Sequence, residues 1–139
     1  MKQRTFSIIK PDAVAEGHAG EILSMLEKAG FKILALRMTR LTQREAEGFY
    51  AVHRERPFFP SLVRFMTEGP IIVMALERED AVAKLRELMG ATNPANAAEG
   101  CVRKRFAKSI ERNCIHGSDA PDTAELELHY FFSTLDLQG

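Results

Sequence analysis

The amino-acid sequence predicts an α+β fold of the ferredoxin-like kind, βαββαβ, with a four-stranded antiparallel sheet and helices packed on it. Three observations lead there. Apolar runs of strand length occur at residues 6–9, 31–38, 71–76 and, briefly, 114–116. Stretches with helical spacing of apolar residues lie between them. Proline, glycine or a capping residue stands at most of the joints.

Each element has its own signal. Residues 6–9 read as a short buried strand that stops before Pro11, which has no N–H for a ladder. Ile22, Met25, Leu26 and Ala29 share a helix face, and Gly30 can close that helix. Residues 31–38 alternate as a strand with two partly buried faces. Thr42-Gln43-Arg44-Glu45 is a capping-box pattern, so a helix should start there and run toward His53. Pro57 breaks it, and Pro60 can open a short helix around Leu62 and Met66. Gly69-Pro70 marks a turn into the buried strand 71–76. Asp80 can cap a helix with Val82, Leu85 and Met89 inward, ended by Gly90. Residues 91–100, rich in Ala, Asn and Pro, read as a loop or short turns. Phe106 and Ile110 suggest one more helix, and Ala124, Leu126, Leu128 and Phe131 a last one over residues 123–132.

A chain of 139 residues with no linker or internal repeat is expected to form one domain, residues 1–139. Nineteen basic and nineteen acidic residues cancel, which argues against nucleic acid as a primary partner. The two cysteines, Cys101 and Cys114, have no CxxC spacing and fit free thiols in a reducing compartment. No apolar stretch reaches membrane-spanning length and the N-terminus lacks a signal-peptide pattern, so a cytoplasmic protein without a membrane partner is expected.

The chemistry-bearing segment is Asn113-Cys114-Ile115-His116-Gly117-Ser118-Asp119. A histidine at a strand end, followed by glycine and a hydroxyl, can present its ring to a ligand, and Gly117 leaves room for a close approach. Neutral imidazole is a competent nucleophile near pH 7. No metal-ligand cluster is visible, since His18, His53 and His129 are scattered. There is no Gly-x-x-x-x-Gly-Lys loop.

This segment resembles the active-site run of nucleoside diphosphate kinases, Asn-x-x-His-Gly-Ser-Asp. Thr5-Phe6-Ser7-Ile8-Ile9-Lys10-Pro11-Asp12-Ala13-Val14 is similar to that family's opening strand and lysine turn. Arg56-Pro57-Phe58-Phe59 is similar to its base clamp, and Gly90-Ala91-Thr92-Asn93-Pro94-Ala95 and Val102-Arg103 to its phosphate-binding stretches. The blocks stand in the family's order and cover nearly the whole chain.

The resemblance implies a function: transfer of the γ-phosphate of a nucleoside triphosphate, mainly ATP, to a nucleoside diphosphate. The implied route is ping-pong, through a phosphohistidine on His116. It implies that Glu127 orients His116 with Ser118 beside it. Lys10, Arg86, Arg103 and Thr92 would bind phosphates, and Lys10 and Asn113 would also reach ribose hydroxyls. Tyr50 would support Lys10 and the moving group, and Phe58 would stack on the base. Mg²⁺ would arrive on the nucleotide phosphates with no direct protein ligand predicted. Relatives are homo-oligomers, and the short C-terminal tail favours a tetramer over a hexamer. Two departures stand out: Lys104-Arg105 follow Arg103, adding charge near an expected helix start against the helix dipole, and Glu111 stands where glycine is usual. The fold alone would equally serve a regulatory or nucleic-acid-binding module, or a protein-histidine phosphotransfer module. Phe58 and the two arginines favour a small nucleotide.

Overall fold

The structure is a computed structural model that describes residues 2–138. Four strands, β1 (Lys2–Ile9), β2 (Lys32–Thr39), β3 (Ile71–Glu79) and β4 (Ile115–Gly117), form one antiparallel sheet in the order β2-β3-β1-β4. The helices α1 (Pro11–Ala15) and α2 (Ala19–Lys28) follow β1. Then come α3 (Gln43–Phe49) and α4 (Phe59–Thr67) after β2, α5 (Ala81–Met89) and α6 (Val102–Phe106) after β3, and α7 (Pro121–Phe131) after β4. This is the expected ferredoxin-like α+β arrangement.

Both faces of the sheet are covered, which is why its central strands read as unbroken apolar runs. Side chains alternate across β3. Ile71, Val73 and Ala75 join Phe6 and Ile8 under α3, α4 and α7, where Ala46, Met66 and Leu128 meet them. Ile72, Met74 and Leu76 join Ile9 on the opposite face, against Ile22 and Leu26 of α2 and Leu85 and Met89 of α5. The same alternation sorts β4. Ile115 enters the α2–α5 side, while His116, paired with Ile8 in the ladder, lies among the aromatic rings of the α3–α7 side.

Several joints form as expected. Thr42 and Glu45 make a complete capping box, with Glu45 N–H donating to Thr42 Oγ1 at 3.1 Å and Thr42 N–H to Glu45 Oε1 at 2.8 Å. The predicted run to His53 divides, however, into α3 and a 3₁₀ turn at Ala51–His53. Other expectations are corrected. Asp80 does not cap α5; it sits at φ 54°, and the cap comes from across the sheet, where Gln3 Oε1 accepts from Val82 N–H at 2.8 Å. The helix through Phe106 ends there, and Ile110 stands in a loop, 55% exposed. α7 presents Ala124 and Leu128 to the core, whereas Leu126 is 74% exposed on the far side. β2 is an edge strand with two partly buried faces, as expected: Ile33 packs on the α2–α5 side and Leu34 and Ala35 on the other, while its outer end leaves Leu36 and Met38 exposed. The short α1 was not anticipated; Pro11 opens it with the φ a first helical turn needs.

Candidate active site

β4 is short but firmly held. Ser7 Oγ donates to the His116 carbonyl at 2.7 Å, and Ser118 N–H donates to Phe6 O at 3.1 Å. Gly117 lies against α5 so closely that a Cβ there would stand 2.6 Å from Met89 Sδ and 2.9 Å from Leu85 Cδ2. The glycine therefore serves the packing of strand on helix. That corrects the expectation that it clears space for a ligand.

Among the described residues the His116 ring is held through Nε2 alone. Its Nε2 is 2.9 Å from Glu127 Oε1, and the same oxygen accepts a 2.7 Å hydrogen bond from Ser118 Oγ. A carboxylate oxygen only accepts, so Nε2 donates in this hydrogen bond, and in the neutral ring the lone pair is then on Nδ1. Phe49, Phe6 and Tyr50 surround the ring at centroid distances of 5.5, 6.0 and 6.4 Å. The side chain keeps 19% of its surface exposed, so the ring is rigidly framed yet reachable. Tyr50 is buried with a hydroxyl that has no hydrogen-bond partner among the described residues, and burial, then the Glu127 charge, raises its pKa.

Lys10 and Asn113 meet at the inner end of a cleft of about 650 Å³. Lys10 Nζ donates to Asn113 Oδ1 at 2.8 Å, and the Lys10 N–H donates to Cys114 O at the same distance. Burial, and next the charge of Arg103, brings the Lys10 ammonium down to about 8. Phe58 and Thr92 stand exposed on the cleft wall, with Ile110 beside them in the lining. Phe58 is 43% exposed and is flanked by the His53 ring at 5.4 Å and the Arg56 guanidinium at 5.9 Å. Its ring is not a core element.

The two arginines differ. Arg86 is on the surface of α5, with Nη1 2.7 Å from Asp119 Oδ1. Arg103 is buried, and donates to the carbonyls of Asn113 (3.3 Å), Gly90 (3.0 Å) and Ile115 (2.8 Å). It thus ties α6 and the end of α5 to the active-site strand, with two of its five N–H groups left over. Burial, then the neighbouring Arg86 charge, lowers its pKa. Gly90, at φ 85°, could hold no side chain, since a Cβ would fall 2.3 Å from Cys101 Sγ.

The cleft thus brings together Lys10, Phe58, Thr92 and Asn113, while His116, Glu127, Ser118, Tyr50, Arg86 and Arg103 lie outside its lining. The segment 113–116 links the two groups within four residues. Three features of the site carried no role at the level of sequence. Asp12, buried, accepts from Cys114 N–H at 3.1 Å and so supports Cys114 at φ 73°, a strained conformation for a cysteine. Asp12 was visible within the lysine turn, but nothing local shows that its carboxylate reaches a residue 102 positions on. With burial, it also pushes the Cys114 thiol up to about 12. Ile110 borders the cleft. Arg112 and Glu68 close one side of it with a two-point ion pair at 2.8 and 3.3 Å. The departures resolve as well. Lys104 and Arg105 fall in the last turn of α6, where positive charge suits the dipole, and Arg105 pairs with Glu21 and covers Phe106. Glu111 keeps an ordinary backbone, and the left-handed residue is Cys114.

Known proteins carry the same architecture. The sequence model of the nucleoside diphosphate kinase family matches residues 3–137. The nucleoside diphosphate kinase of Nitratidesulfovibrio vulgaris (strain DP4) is 58% identical over 139 residues, all of both chains. That of Francisella tularensis subsp. mediasiatica is 59% identical over 138 residues, 99% of each. Among solved structures, the Aquifex aeolicus nucleoside diphosphate kinase superposes with a TM-score of 0.97 at 42% identity, covering 99% of this chain and 100% of that one. The Halobacterium salinarum enzyme, solved in complex with CDP, gives 0.95 at 38% identity, covering 100% and 93%. With sequence and fold matched from end to end, the chain belongs to the nucleoside diphosphate kinase family and is a phosphotransferase.

Proposed function

We propose that this chain moves the γ-phosphoryl group of a nucleoside triphosphate, mainly ATP, onto a nucleoside diphosphate in two half-reactions through a phosphohistidine on His116. The observation that carries the reading is the one-sided hold on the imidazole: Nε2–H is fixed to Glu127, itself bonded to Ser118, and Nδ1 is the nitrogen with a lone pair. In the first half-reaction the Nδ1 lone pair forms the N–P bond as the bond from phosphorus to the β,γ-bridging oxygen breaks. The diphosphate leaves with that electron pair. Positive charge grows on the ring as it bonds to phosphorus, and the Glu127 carboxylate offsets it. The second half-reaction reverses these steps with a different diphosphate.

Lys10, Arg86, Arg103 and Thr92 supply the positive field and donors for the phosphates, Lys10 and Asn113 reach the ribose hydroxyls, and Tyr50 supports Lys10. Phe58 stacks on the base; its exposure favours this role over core packing. Arg103 acts chiefly by fixing the strand and by its charge, since three of its donors are already engaged. Mg²⁺ would come with the nucleotide, whose phosphate oxygens are suitable hard ligands. When bound, the ion would neutralise phosphate charge. The chain acts as one domain, 1–139, in the cytoplasm, as a homo-oligomer with a tetramer favoured over a hexamer. Leu36 and Met38, exposed on the edge strand β2, are consistent with a covered edge. No helix among the described residues is long and apolar enough to cross a membrane.

Labelled ATP tests the reading. After incubation and removal of free nucleotide, GDP or dCDP should take the label from the protein and become a labelled triphosphate. Label that stays on the protein, or that passes only to water, contradicts it.

A further inference from the structure

Glu111 borders the cleft on a rim whose shape is set by its own hydrogen bonds. Lys108 N–H donates to Arg112 O at 3.1 Å, Arg112 N–H to Ser109 Oγ at 3.0 Å, and Asn113 Nδ2 to Ile110 O at 2.8 Å. Arg112, the adjacent cation, is engaged by Glu68 and lies over the Phe65 ring at 4.8 Å. Glu111 itself is exposed and makes no hydrogen bond or ion pair among the described residues. An uncommitted carboxylate therefore stands on the same cleft wall as Ile110, in the cleft that Phe58 also lines.

We propose that Glu111 gives this enzyme a base preference, favouring bases that present N–H donors at their edge, guanine foremost, over uracil and thymine. The inference rests on the nucleotide reading above, with the base against Phe58. A stacking ring accepts every π-face and does not discriminate. Discrimination comes from groups in the plane of the base, and a carboxylate there only accepts. Guanine offers N1–H and an N2 amino group side by side, matching two carboxylate oxygens. Adenine and cytosine offer one amino group each. Uracil and thymine offer a single N3–H flanked by two carbonyl oxygens, which the carboxylate repels. Glu68, the other acid on this wall, is held by Arg112 and is less free to do this.

The test is a panel of dissociation constants for GDP, IDP, ADP, CDP, UDP and dTDP, measured by calorimetry on wild type, Glu111→Gln and Glu111→Gly. The wild type should bind GDP about five- to tenfold more tightly than UDP or dTDP, an exposed charge-assisted contact being worth less than a buried one. IDP, which lacks the N2 amino group, should fall between. Both variants should bring the six constants together while still exchanging phosphoryl groups. Wild-type constants that do not depend on the base would overturn the proposal. So would variants that shift all six equally, which is a general charge effect on anionic ligands. Either result leaves phosphoryl exchange through His116 standing; loss of exchange in the wild type would instead remove the nucleotide reading itself.

Discussion

Lys10 is a buried cation beside a second one, Arg103. Burial brings the Lys10 pKa to about 8, below the ordinary 10.5. A bound polyphosphate favours the ammonium and raises it again. Between pH 8 and 10 binding should therefore take up a proton, and affinity should fall as pH rises through this window. Calorimetry at pH 9 in buffers of different ionisation enthalpy reads the uptake directly; none there would show that Lys10 does not face the phosphates. Phe58 allows a second test on one side chain. Phe58→Ala should raise KM for every diphosphate, with a stacking loss of about 1–3 kcal/mol, and leave the melting temperature nearly unchanged because the ring is 43% exposed. Phe58→Tyr should keep most of the affinity. A large drop in melting temperature with unchanged KM would mean that the ring supports the fold and not the base.

At the scale of elements, the site depends on how β4 is clamped between α5, α6 and β1. Gly117→Ala should destabilise the protein by about 1–3 kcal/mol through overpacking, since the added carbon meets Met89 and Leu85. Urea unfolding measures this; a variant with wild-type stability but weak nucleotide binding would restore the view that Gly117 makes room for ligand. The arginines should separate in the same way. Arg86→Ala should cost about 2–4 kcal/mol of transition-state stabilisation for ATP, GTP and CTP alike, with little change in folding. Arg103→Ala should lower activity and melting temperature together, because three carbonyls lose their donor. A loss confined to one base would mean that these side chains read the base. These clamps mark the limit of sequence reading. Local signals such as the Thr42–Glu45 box and the apolar run of β3 were legible because they depend on neighbours in the chain. Gln3 capping α5, Asp12 holding Cys114 and Arg103 binding three carbonyls join distant segments, so neither spacing nor composition carries them.

For the whole molecule, the order of elements was legible because a sheet covered on both faces writes itself as apolar runs, and the candidate segment 113–119 because its residues are adjacent in the chain. The cleft was legible only in part: Phe58, Lys10 and Asn113 belong to motifs, whereas Ile110 looked like a helix residue until the fold placed it on the wall. The fold holds one imidazole with Nε2 fixed to Glu127, and Nδ1 is the proposed site of the bond to phosphorus. The most direct test is to expose the protein to ATP and Mg²⁺ alone, quench under alkaline conditions, and map the phosphoryl group by mass spectrometry. The expected result is an acid-labile, base-stable phosphoryl group on His116, discharged by added diphosphate and absent from His116→Ala and His116→Gln, whose exchange falls far more than tenfold, or well beyond about 1.4 kcal/mol of barrier. Phosphate on another residue, or exchange within tenfold of wild type in those variants, would contradict it.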